Sequence, residues 1–119
     1  MNEKLHSKAI SAAARCIEQK GYEVASTRWT GASGASVDIA AWDGATLVLI
    51  AVGACEADGE AFDESQVTRE SMELAAISYL AEVDPPDGTP VRFDTIVLTV
   101  LDGTRALLRH HIAAMPADL

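Results

Sequence analysis

The stretch V-D-I-A-A-W-D-G-A-T-L-V-L-I-A-V-G-A, residues 37–54, decides the fold class. Two runs rich in apolar and β-branched residues flank Asp43-Gly44, and glycine supplies the positive φ that a tight hairpin turn requires. The first run, S-V-D-I-A-A-W, carries one carboxylate, Asp38, on an otherwise apolar strand. The second, T-L-V-L-I-A-V, is apolar on both faces, the pattern of a central strand covered on two sides.

Working outward, K-L-H-S-K-A-I-S-A-A-A-R-C-I-E-Q-K (4–20) places Ile10, Ala13, Ala14 and Ile17 at helical spacing, and Gly21 follows as a stop. Cys16 falls on the same apolar face and is expected to be buried. Y-E-V-A-S-T-R-W (22–29) alternates as a strand. T-G-A-S-G-A-S (30–36) reads as a connector, without the lysine and following helix of a phosphate-binding loop. Downstream, residues 64–82 put Val67, Met72, Leu74, Ala75, Ile77 and Leu80 on a wide helical stripe, which D-P-P-D-G-T-P (84–90) ends. R-F-D-T-I-V-L-T-V-L (92–101) and R-A-L-L-R-H-H-I (105–112) are strands joined by a D-G-T turn. The order α-β-β-β-α-β-β predicts an α/β fold, a mixed sheet flanked by helices. No linker divides residues 1–119, so one domain is expected.

With 49% hydrophobic but only 5% aromatic residues, the core must be built mainly from Ala, Val, Ile and Leu. The polar start M-N-E-K-L-H-S-K has no signal-peptide core. The longest apolar run is about half of what a bilayer span needs, so a cytoplasmic chain without membrane association is expected. The formal net charge is −9. Residues 56–73 hold seven acids against the single Arg69, a face that repels a phosphate backbone unless metal ions or a partner neutralise it. Lys4, Lys8, Arg15, Lys20 and Arg28 are the basic set that a residual nucleic-acid contact would use. A protein partner or a second copy of the chain is the expected association.

Other chemistry-bearing residues invite structural readings. Cys16 and Cys55 lack the spacing of a zinc site or a disulfide framework, and Cys55 ends a strand, a position open to exposure. Asp94, at a strand start, is expected to pair with Arg92 or Arg28. His110 and His111 face opposite sides of a strand, so they cannot form a ligand pair on one face; one is expected buried and the other solvated. The acidic stretch 56–73 lacks the spacing of a calcium loop. Trp29 and Trp42, near strand ends, either cap the small core or anchor a partner.

Four blocks, A-A-R-C-I-E-Q-K-G-Y-E-V, S-V-D-I-A-A-W-D-G-A-T-L-V-L-I-A-V, V-R-F-D-T-I-V-L and H-H-I-A-A-M, resemble in order and spacing the YraN-like family of predicted endonucleases. That family belongs to the restriction-endonuclease-like, PD-(D/E)XK superfamily, and the resemblance implies its mixed sheet and a site in which acids hold Mg²⁺ or Mn²⁺ beside a lysine. A hard cation needs several oxygen ligands, and it activates water while neutralising phosphate charge. Aligned on this chain, Asp38 keeps the strand acid. The other family positions fall on Ile10 (helix acid), Ser36 (Glu), and Ala51 and Gly53 (the Glu-x-Lys pair). Residues 51 and 53 point to one face of a strand, so that face lacks both ligand and base. The resemblance therefore implies Asp38 as a vestigial catalytic and metal-binding residue, with cleavage lost and no cofactor expected. The alternative is a rebuilt Mg²⁺- or Mn²⁺-dependent site, in which Glu56, Glu60 or Asp63 joins Asp38 and Arg69 supplies the positive charge.

Overall fold

A computed structural model describes residues 3–57 and 69–115. The elements follow the expected order: α1 (Glu3–Gln19), β1 (Glu23–Thr30), β2 (Ser36–Asp43), β3 (Thr46–Glu56), α2 (Arg69–Val83), β4 (Val91–Val100) and β5 (Ala106–Met115). The five strands form one sheet in sequence order, β1 to β5. Neighbours run antiparallel except β3 and β4, which are parallel. The α2 crossover makes that parallel pair possible, since a short turn cannot return a chain in the same direction.

Central placement explains the unbroken apolar run of β3, whose side chains serve two cores. On one face Val48, Ile50, Val52 and Ala54 pack with Ile39, Ala41 and Ile96 under Ala9, Ile10, Ala13 and Ile17 of α1. The alanines let the helix backbone approach the sheet closely. Gly21 ends α1 at φ 97°, with Tyr22 N donating to Ile17 O and Gly21 N donating to Glu18 O. Those bonds satisfy carbonyls that the last turn leaves open.

On the other face Val37, Ala40, Leu47, Leu49 and Phe93 pack under Met72, Ala75, Ala76 and Tyr79 of α2. This corrects the expected stripe, because Leu74 and Ile77 are 56% and 61% exposed. The helix is apolar on several sides, so periodicity does not select its inner face. Contact does: Ala75 and Ala76 permit close approach, and Tyr79 meets Trp29 edge-on with ring centroids 5.1 Å apart. Val67, Glu60 and Asp63 lie outside the described residues. Cys16 is half-buried rather than buried, because it sits at the margin of the α1 stripe, beside Ile17.

Candidate functional site

The β2–β3 ladder runs from Asp43↔Thr46 to Ile39↔Ile50 and stops there. One residue further on, the side chain of Asp38 takes over the role of a main-chain acceptor. Val52 N donates to Asp38 Oδ2 at 2.8 Å. From α1, His6 Nε2 lies 3.1 Å from Val52 O and 3.5 Å from Asp38 Oδ2. A carbonyl only accepts, so Nε2 carries the proton in that bond. Both main-chain groups of Val52 are thus satisfied by side chains where the strands part. Reading the sequence missed His6. Its signal was present, since it lies four residues before Ile10 and so on the same side of α1.

Two hollows meet at Asp38. One, of about 440 Å³, lies between the β2–β3 opening and α2, and includes Ser36, Asp38, Ala51 and Leu74 in its wall. The second, of about 290 Å³, lies under the start of α1 and includes Glu3, His6, Ile10, Arg28, Ser36 and Asp38. The structure therefore brings Ile10, Ser36 and Ala51 to the surroundings of Asp38. Gly53 is buried further along β3, opposite Val97 of β4. Arg28 adopts φ 53°, a left-handed backbone uncommon for a residue with a side chain. Its guanidinium donates to Ser7 Oγ at 2.7 Å and Glu3 Oε1 at 2.6 Å, which ties β1 to α1.

A second polar cluster lies at the other end of α1. Asp94 has no exposed surface and accepts from Arg92 Nε at 2.9 Å, Arg92 Nη2 at 3.1 Å, His110 Nε2 at 2.7 Å and Ala113 N at 2.8 Å. Arg92 also donates to Asp43 Oδ2 and Tyr22 Oη, at 2.9 and 2.7 Å. Lys20 Nζ stands 3.2 Å from His110 Nδ1. An ammonium can only donate, so in that pairing Nε2 of His110 carries the proton donated to Asp94. Burial pushes the Asp94 carboxyl up, but the bonds from His110, Arg92 and Ala113 outweigh it and hold it below the usual range. The Arg92 guanidinium is held charged, chiefly by its bonds to Asp94 and despite its own burial. Of the two expected partners of Asp94, the structure selects Arg92.

His110 has a side chain only 3% exposed, as expected for one of the pair. His111 is half-buried and engaged rather than solvated. Trp29 and Trp42 both pack against the core under α2. Cys55 is half-buried, not exposed, with Sγ 3.6 Å from Thr99 Oγ1 on β4. Of the basic set, Arg28 and Lys20 are engaged with Glu3 and His110, and Lys4, Lys8 and Arg15 lie exposed along α1.

No family model matches the chain. A UPF0102 protein from Roseiflexus castenholzii (strain DSM 13941 / HLO8) is 32% identical over 97 residues, covering 79% of this chain and 76% of the relative. The chain belongs to the UPF0102 family. That family is the YraN-like, endonuclease-like group that the four sequence blocks resemble.

Against this UPF0102 membership, the described residues around Asp38 do not by themselves fit a hard divalent cation. Asp38 Oδ2 already accepts from Val52 N, and His6 Nε2 is turned to the Val52 carbonyl. Among the described residues no three His, Cys, Asp or Glu side chains are grouped closely enough to hold a metal. Magnesium needs near-octahedral oxygen ligation, and Ile10, Ser36, Ala51 and Gly53 offer no carboxylate to complete it. Glu56 does not supply the lack. It stands exposed five residues beyond Ala51 on β3, roughly 16 Å along the strand at ~3.3 Å per residue. Among the described residues no helix is long and apolar enough to cross a membrane.

Proposed function

We propose that this UPF0102 protein is a non-cleaving member of its family, a nuclease-type fold whose site binds rather than hydrolyses. One observation carries the reading: the carboxylate left at the family's metal position stands without a second acid at the family's other positions, and one of its oxygens is bonded to the main chain of β3. Asp38 takes the Val52 N–H where the ladder ends, and the positions that would complete a metal site hold Ile10, Ser36, Ala51 and Gly53. Metal-assisted hydrolysis needs a cation to activate water and to neutralise the phosphate. This donor set supports neither. The acidic chain adds to the argument, because a net charge of −9 disfavours approach of a polyanion. The surface of the chain is then left to a protein partner or a second copy, and the hollow at Asp38 to a ligand that is not a polyanion.

The test is incubation of the full chain with single-stranded, duplex and branched DNA in Mg²⁺ or Mn²⁺. No cleavage is the expected result. Cleavage that disappears in Asp38→Ala overturns the reading and restores the metal-dependent endonuclease, with ligands drawn from outside the described residues.

A further inference from the structure

We infer that the hollow between β2, β3 and α2 is a binding site for a small organic ammonium ion. This rests on the non-cleaving reading of the same site and names its ligand class. Short side chains at Ser36 and Ala51 leave about 440 Å³ open beside Asp38, a volume that admits a small ligand. Val37, Leu49, Ala51, Met72 and Leu74 make much of the wall apolar, and Asp38 is its one charged group among the described residues. Water is poorly held by such walls, and a bare metal ion finds too few oxygens. An alkylammonium satisfies both parts, with its chain against the apolar wall and its N–H donors toward the carboxylate.

The geometry leaves Asp38 able to serve. Its bond from Val52 uses one position on Oδ2, whereas an ionised carboxylate has about four acceptor positions. Leu74 lines the hollow and is 56% exposed, so an occupant also covers apolar surface that α2 turns away from the sheet core. The chain's negative charge draws cations to the opening and repels carboxylates. The Arg28 guanidinium, which shares the second hollow with Asp38, is paired with Glu3 at 2.6 Å.

The experiment is a titration of the ¹⁵N-labelled full chain with hexylammonium chloride, 1-hexanol and sodium hexanoate, read from amide chemical shifts. Hexylammonium is expected to shift the amides of Asp38, Ala51 and Leu74 saturably at roughly millimolar concentration, the range suited to a ligand of under about ten heavy atoms. Hexanol is expected to bind roughly tenfold more weakly, a difference of about 1.4 kcal/mol, and hexanoate more weakly still. Asp38→Asn keeps an acceptor for Val52 N–H but removes the charge, so the preference for ammonium over alcohol should vanish. Ala51→Leu fills the hollow and should abolish all three responses while the thermal midpoint shows the fold intact. Equal binding of alcohol and ammonium by the unmodified chain, or shifts scattered away from the hollow, overturns the proposal even if Asp38→Asn fails to fold. DNA cleavage by the same preparation with Mn²⁺ overturns the non-cleaving reading instead, so the two failures are separable.

Discussion

Replacing Asp94 by Asn should destabilise the protein more than any other single polar substitution among the described residues. The exchange keeps the side chain's shape but removes the charge, and turns an NH₂ toward groups that themselves donate. Four hydrogen bonds converge on this carboxylate, from Arg92 twice, His110 and Ala113. Breaking a buried ion pair by removing one partner costs about 3–5 kcal/mol. The lower end applies here, because the Arg92 side chain is 21% exposed and retains Asp43 and Tyr22. With an unfolding entropy of about 2.1 cal/mol/K per residue, a loss of ~3 kcal/mol lowers the midpoint of a chain this size by ~12 °C. Calorimetry of the wild type and variant measures it, with Asp43→Asn as the comparison. That second carboxylate is 44% exposed, and its pair is worth about 0–1 kcal/mol. A fall under ~4 °C for Asp94→Asn, or an equal fall for Asp43→Asn, would refute the view that this cluster locks the end of the sheet.

The same carboxylate sets an acid dependence: its pKa is depressed in the folded state, so its stabilisation is complete above the unfolded aspartate value of about 3.9 and is lost as pH falls through the folded one. Urea midpoints measured down the pH scale should therefore fall more steeply below ~pH 4 in the wild type than in Asp94→Asn. Ile17→Ala, at a position with no exposed surface, should cost about 2–5 kcal/mol by chemical denaturation. Ile77→Lys, on the outer side of α2, should change stability by no more than about 0.5 kcal/mol. Gly31→Ala would place a Cβ 2.6 Å from Trp29 Cη2, displacing the indole from Tyr79. A loss of about 1–3 kcal/mol with altered tryptophan near-ultraviolet circular dichroism is expected, whereas Gly103→Ala, with nothing near its added carbon, should be silent.

The hairpin, the central strand and the two helices were legible because each advertises itself locally. Asp43-Gly44 marks the turn that closes at Asp43↔Thr46, with Gly44 at φ 60°. The apolar run from Leu47 to Val52 reads as a strand covered on both faces, and α1 and α2 cover it. The rotational setting of α2 was not legible. Leu74 and Ile77 are as apolar as Met72 and Tyr79, so periodicity alone cannot say which set faces inward. Alignment on the family blocks pointed to Asp38 but not to the use made of it. Its partners, His6 on α1 and the main chain of Val52, lie 32 and 14 residues away in sequence.

Sequence by itself determined the element order, the placement of a nearly bare acid on β2 and the absence of acids at positions 10, 36 and 51 and of a lysine at 53. These follow from covalent identity and from backbone periods of two and 3.6 residues, which need no distant contact. Tertiary structure alone decided where the side-chain hydrogen bonds go. Parting of β2 from β3 turns Asp38 into a substitute rung for Val52. Packing of α1 brings Lys20 to His110 across 90 residues and Tyr22 to Arg92 across 70. Hydrogen bonds depend on separations of a few tenths of an ångström, and only closure of the whole sheet sets distances between groups so far apart along the chain.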